Sequence, residues 1–303
     1  MSGREWGLIG VLAVLWGVSF FFSKVALADL PPFTLVLGRF GIAALALLVA
    51  ARLGGHRIPR SPRVWAGFFV LGALNSLIPF GLIAWGQVQL TSGLASILNA
   101  TTPLFTALVA HAWGDERLTA HRVAGVLVGL AGVGVLIGPG ALEHLGAHTL
   151  AELAILGAAV SYAFAGSYGR RFRGMPPVVA VAGMMSTAAL MALPVALVMD
   201  RPWTLVVGAR TWAALLGLAL LSTALGFVIY FRVLATAGAT NVMLVTLLMP
   251  VVALLAGSLI LAEPVTGAAL AGMALIGAGL LAIDGRLLGI RRAAAIRPSS
   301  EAV

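Results

Sequence analysis

Apolar runs alternate along the whole chain with short clusters of Gly, Pro and charged residues, and this alternation predicts ten helices. They lie near residues 7–28, 33–53, 64–86, 92–113 and 119–138 in the first half. In the second half they lie near 150–170, 177–199, 211–234, 239–261 and 265–288. A helix needs roughly 20 predominantly apolar residues to cross a hydrocarbon core about 30 Å thick, and these runs match that length. The intervals between them leave no room for a sizeable soluble domain. The expected fold class is all-α membrane.

Composition strengthens this reading. Of the 303 residues 61% are hydrophobic and 10% charged, with a mean hydropathy of +1.07, far outside the soluble range. Absence of cysteine excludes disulfides and thiolate-bound metals. Arg4, the first apolar run and Ala26-Leu27-Ala28 before Asp29 imitate a secretory signal. The run is longer than a signal core, carries Lys24 near its end and completes the repeat described below, so it is expected to remain as a helix.

The net charge of +9 acts as a topology signal. Arg4, the cluster Arg52, Arg57, Arg60 and Arg63, then Arg117 and Arg122, Arg170, Arg171 and Arg173, Arg232, and the tail Arg286, Arg291, Arg292 and Arg297 all fall on alternate connections. The opposite connections hold only Arg201 and Arg210, while Lys24 and Arg39 lie inside helices. Because cytoplasmic loops retain Lys and Arg, both termini are expected in the cytoplasm, and the basic tail 289–303 orients the chain. No nucleic-acid partner is implied; the lipid bilayer is the expected surroundings.

A shift of 147 residues superimposes Trp65 on Trp212, Phe80 on Phe227, Pro103 on Pro250, Glu116 on Glu263, Thr119 on Thr266, Gly125 on Gly272 and Gly132 on Gly279. The Pro-to-Glu interval is 13 in both halves. The expected architecture is two five-helix repeats, residues 1–140 and 141–288. An odd helix count makes the second copy enter from the opposite face, so the repeats are inverted, an arrangement suited to alternating access in transporters.

Trp16-Gly17-x-Ser19-Phe20 with Lys24 four residues on, Pro32 and Arg39-Phe40, and a mid-helix Pro thirteen residues before a Glu in both halves resemble the drug/metabolite transporter superfamily, specifically its EamA-type exporters. The resemblance spans nearly the whole chain. It implies a ten-helix fold with a central cavity and export of metabolites such as amino acids from the bacterial inner membrane. Within that group the chain is similar to the aromatic amino acid exporters. It departs from the pattern at Ala163, where Trp16 would repeat, and at Ser186, near the place of Arg39.

A proline within a helix deprives the carbonyl four residues earlier of its donor, which is tolerable in lipid only against protein or a wet cavity. On that rule Pro79 frees the carbonyl of Asn75, Pro103 that of Asn99, and Pro250 that of Thr246. With Ser222, the repeat partner of Asn75, these residues predict a polar binding site at mid-depth. The other reading is that they bond neighbouring helices. Trp16, Ser19 and Phe20 on the first helix and Tyr162 on the sixth supply candidate contacts and stacking surfaces. Lys24 and Arg39 have two readings: a positive outer mouth attracting a carboxylate, or side chains that snorkel or bond loop carbonyls and Asp29. The ladders Gly125, Gly129, Gly132 and Gly267, Gly272, Gly277 are expected to pack within the chain rather than between copies, leaving a monomer or weak homodimer.

The ten carboxylates and five histidines fall at helix ends or in loops, so no proton carrier is expected at mid-depth. A phosphate loop is absent, as is an intramembrane catalytic set: Gly17-Val18-Ser19-Phe20 lacks the final glycine of a rhomboid-type motif. No enzyme, cofactor or metal site is expected. The partner is a small-molecule substrate, with a multidrug, sugar or nucleotide-linked efflux carrier of the same fold, or a channel, as alternatives.

Overall fold

The computed structural model describes residues 2–112, 119–138, 146–172, 174–237, 239–242 and 244–284. Asp115, Glu116, Arg117, Glu143, His144, Arg173, Arg286 and the tail 289–303 lie outside the described residues.

Those residues form an all-helical bundle: α1 Gly3–Ala26, α2 Pro32–Leu53, α3 Pro62–Gln89, α4 Ser92–Ala112, α5 Ala120–Ile137, α6 Ala147–Phe172, α7 Pro177–Met199, α8 Ala209–Ala237 and α9 Leu244–Leu261. These nine are long and apolar enough to cross a membrane, and a shorter apolar helix, α10 Gly267–Asp284, follows. The start of α1 lies earlier than the apolar run suggests because a capping box holds it: Ser2 Oγ accepts from the Glu5 N–H while the Ser2 N–H donates to the Glu5 carboxylate at 2.7 Å.

Large apolar side chains face outward, among them Leu45, Val49, Leu127, Leu255 and Leu259, as expected of a lipid-facing surface. The interior mixes large side chains such as Phe40, Phe68 and Leu12 with small residues at the closest helix contacts. Ala43, Ala182, Ala188 and Ala192 let α2 and α7 approach closely, and glycines do the same for α5 and α10. A Cβ on Gly125 would fall 2.6 Å from the Gly279 carbonyl oxygen, and one on Gly132 would fall 2.9 Å from that of Gly272. Gly129 faces Leu104. In α10 the packing pair is thus Gly272 and Gly279 rather than Gly267 and Gly277: seven residues make almost two turns and return to the same face. The contacts are crossed, since Gly125 matches Gly272 and Gly132 matches Gly279 in the 147-residue shift.

Three carboxylates cap helix starts at the end of the bundle where α1 finishes. Asp29 accepts from the Gly208 N–H and Thr211 hydroxyl beside α8, Asp200 from Thr34 in α2, and Glu263 from the Ser92 N–H in α4. Each negative charge meets the positive end of a helix dipole and its unpaired N–H groups. Those two hydrogen bonds hold the Asp29 carboxyl below the usual carboxylate range. Glu152 stands apart: it is buried in the second turn of α6, its carboxylate 3.6 Å from His148.

Candidate functional site

Two helices lose α-helical register at matching places. Residues 73–77 of α3 and 217–225 of α8 are π-helical, and the 147-residue shift carries the first segment to 220–224, inside the second. A π turn bonds each N–H to the carbonyl five residues back, as the Ile78 N–H does to Ala73. This corrects the carbonyl assigned to Pro79. In the i−5 register the proline's missing donor belongs opposite Leu74 rather than Asn75, and the Leu74 carbonyl accepts from the Ser161 hydroxyl of α6 at 2.7 Å.

In α8 the counterpart of Leu74 is Leu221, whose carbonyl accepts from the Gly226 N–H, and it is the next carbonyl, that of Ser222, that a side chain from the other half takes. Gly226 stands where Pro79 stands in α3, and the Trp16 indole N–H of α1 donates to the Ser222 carbonyl at 3.1 Å. A Cβ at Gly226 would lie 2.7 Å from that indole nitrogen, so glycine is what admits the ring. Trp16 then meets Phe227 edge to face at 5.8 Å and Tyr230 at 5.3 Å between centroids. Across the bundle Tyr162 meets Phe80 edge to face at 6.0 Å, and Phe80 meets Phe40 at 5.2 Å. Phe80 and Phe227 are themselves repeat partners.

Arg39 of α2 reaches the π segment of α8 and Phe80, three residues past that of α3. It is buried, 5% exposed, with its guanidinium carbon 4.2 Å from the Phe80 ring centroid and its Nε–H donating to the Thr223 hydroxyl at 2.8 Å. It neither snorkels nor bonds Asp29, because its side chain points into the bundle. Lys24 is half-buried and donates to the carbonyls of Gln87 and Leu90 at 2.7 and 2.8 Å, at the end of α3.

The other predicted residues are placed as follows. Ser19 donates to the Trp16 carbonyl of its own helix. Phe20 packs in the core, and its carbonyl accepts from the buried Gln87 amide at 3.0 Å. Asn75 donates to the Met184 sulfur at 3.3 Å. Around Asn99 the fourth span breaks at Ala100 and Thr101 into two helical pieces, Ser92–Asn99 and Thr102–Ala112. The Thr102 hydroxyl takes the Asn99 carbonyl at 2.7 Å, and Pro103 thereby becomes the second residue of a new helix rather than an interruption. Asn99 Oδ1 remains buried without a partner. Pro250 is buried inside α9, with Thr246 one turn before it.

The structure therefore brings Trp16 to Ser222 and Tyr162 to Phe80, and joins Asn99 to neither cluster by a hydrogen bond. Sequence reasoning missed Phe227, Tyr230, Thr223 and Gln87. The one available signal was the Phe80/Phe227 match, a repeated aromatic one residue beyond a proline in one copy and a glycine in the other. A cavity of about 320 Å³ lies elsewhere, between α2, α8 and residues 202–207, lined by Leu30, Leu37, Leu205, Trp212 and Leu215. Its walls are apolar apart from Thr34, and they reach Leu215, two residues before the π segment of α8. Among the described residues no group of three His, Cys, Asp or Glu is placed to hold a metal.

The sequence profile of the EamA-like transporter family matches the chain twice, over residues 5–138 and 149–283. A probable terminal-alkyne amino-acid exporter of Streptantibioticus cattleyicolor is 30% identical over 300 residues, 97% of each chain. A probable amino-acid metabolite efflux pump of Escherichia coli K12 is 28% identical over 300 residues, 92% of this chain and 94% of that one. A solved crystal structure shares the fold with a TM-score of 0.68 at 23% identity, covering 96% of this chain and 99% of the other. The chain belongs to the EamA-like transporter family and is a multi-pass protein of the inner membrane.

Proposed function

We propose that this protein is a secondary transporter that exports small organic metabolites, with aromatic or other hydrophobic amino acids as the substrate class. Two inverted five-helix units, residues 1–140 and 141–288, followed by the basic tail 289–303, alternate access to a site between the π segments of α3 and α8. The observation that carries this reading is the exchange of contacts between halves: α1 reaches the π segment of α8, and α6 reaches that of α3. The crossed glycine pairs of α5 and α10 fit the same pseudo-two-fold relation, and the double match of the family profile supports the duplication. Two halves so related interconvert between states of similar energy, as alternating access requires. The names of the two amino-acid exporting relatives support the substrate class.

Arginine distribution supports cytoplasmic termini, which puts Asp29, Asp200 and Glu263 on the outer face. Trp16, Phe80, Tyr162 and Phe227 form the stacking walls, and Asn75, Asn99, Ser222 and Thr246 supply hydrogen bonds at mid-depth, beside Ser19, Phe20, Pro79, Pro103 and Pro250. Carboxylates near helix ends, Glu152 included, leave the middle of the bundle to neutral groups and Arg39, so flux runs down the substrate gradient without proton coupling.

Proteoliposomes preloaded with one amino acid and challenged with another test the proposal. A carrier gives saturable countertransport, whereas a channel gives unsaturated flux. Trp16→Ala, Asn75→Ala and Asn99→Ala are expected to lower that flux; normal transport by all three folded variants contradicts the site. Lumenal acidification in fixed ratio to substrate contradicts uncoupled movement.

A further inference from the structure

The Arg39 guanidinium carries a full charge at 5% exposure, yet among the described residues it has one hydrogen bond, to Thr223, and no carboxylate within ion-pair distance. A buried charge is costly unless paired and hydrogen-bonded throughout. Arginine remains protonated, so neutralisation offers no escape. One hydroxyl, one ring face and the nearby Tyr162 phenol answer only part of that demand.

The geometry fixes what is left over. The Thr223 O–H donates to the Leu218 carbonyl at 2.8 Å, so its oxygen is committed to accepting from Arg39 Nε. Phe80 occupies one face of the guanidinium plane. The remaining edge, the two Nη groups, is a planar fork of the shape that a carboxylate matches with two parallel hydrogen bonds. Two buried hydroxyls without partners belong to the same π segments: Ser222 beside Thr223, and Ser76 at the position matching Thr223 in α3. Ser76 lacks a partner for a visible reason. Ser186 stands where the repeat would bring a second arginine, and its hydroxyl is spent on the Ala182 carbonyl of its own helix.

We infer that Arg39 is the anion-binding residue of the substrate site: its Nη fork takes the carboxylate of the transported solute, while Phe80 and Tyr162 line the apolar body behind it. This rests on the transporter reading above. The charge count favours a monoanion over a phosphate, because Lys24, the other intrahelical cation, already faces Glu263 and two backbone carbonyls. The site therefore selects organic monocarboxylates bearing an apolar or aromatic group, with an α-amino group optional.

The test is equilibrium binding and thermal stabilisation of the full chain in nanodiscs, with 3-phenylpropanoate, its amide and its phosphonate analogue as probes. The carboxylate is expected to bind about tenfold or more tightly than the amide, the order of affinity one charge-assisted contact provides. Arg39→Gln removes that preference, and Arg39→Lys, which keeps the charge without the fork, restores part of it. Equal binding of carboxylate and amide by the native chain, no carboxylate binding, a preference for the phosphonate, or an undiminished preference in Arg39→Gln overturns the proposal. The native comparison needs no variant to fold. Carboxylate selectivity without countertransport in liposomes retains the subsite and removes the transport reading; countertransport indifferent to Arg39→Gln does the reverse.

Discussion

The two crossings between the halves take carbonyls one residue apart in the repeat, and with different chemistry. In α3 a proline and a π turn leave the Leu74 carbonyl to the small hydroxyl of Ser161; in α8 a glycine and a longer π segment leave the Ser222 carbonyl to the indole of Trp16. Each crossing places an aromatic of one half edge to face on a phenylalanine of the other. The difference lies in what stands between them. Arg39 serves Phe80 and Thr223, whereas Ser186, its counterpart by the repeat, turns back on its own helix. The shared backbone framework suits two exchangeable states, and the unshared arginine suits recognition, which needs no symmetry.

The largest expected effect breaks the framework common to both halves. In Gly279→Leu the new Cβ would start 2.5 Å from the Gly125 carbonyl oxygen and 2.7 Å from the Gly129 nitrogen, so backbone must move. A loss of about 3 kcal/mol or more is expected, read as a fall in thermal midpoint or failure to insert stably. Next comes the asymmetric centre. Thr223→Val strips Arg39 of its hydroxyl acceptor and is expected to cost about 1.5–3 kcal/mol, while Ser76→Ala at the matching position removes a hydroxyl with no partner and costs nothing beyond about 0.5 kcal/mol. Comparable losses in the two variants contradict the asymmetry.

The crossings themselves are compared by Trp16→Phe and Ser161→Ala, each of which deletes the donor to one carbonyl. Both are expected to cost about 1–2 kcal/mol. Only Trp16→Phe is expected to weaken substrate binding as well, because its ring lines the site. The smallest effect lies at the helix starts. Asp29 is held below the ordinary carboxylate range by Thr211 and Gly208, so its stabilisation is present above that range and fades as pH falls through its folded value. Asp29→Asn is expected to flatten that acid limb of a thermal-midpoint titration, and an unchanged limb removes Asp29 as its cause.

Most of the fold was legible because membrane helices announce themselves by apolar length and by where arginines stop them. The α1 start was not, since the Ser2/Glu5 capping box lies outside the apolar run. Trp16 and Tyr162 were legible as candidate stacking aromatics at matching depth, and Ser222 as the repeat partner of Asn75. The donors to the freed carbonyls were not. The usual i−4 rule pointed at Asn75, and the π register that moves the vacancy to Leu74 depends on tertiary packing. Thr102, which takes the Asn99 carbonyl, shows the same limit: a local hydroxyl turned an expected kink into a complete break. The depth of Arg39 was likewise hidden, because position along a helix gives no direction for a long side chain.

The central claim is that the Trp16 and Tyr162 corners face one substrate. A double-mutant cycle on binding of an aromatic amino acid, with Trp16→Ala, Tyr162→Ala and both together, measures it most directly. A coupling energy of about 0.5–3 kcal/mol is the predicted result, as for residues sharing one ligand. Losses that add within about 0.5 kcal/mol would place the two rings in separate environments and contradict a single site between the halves.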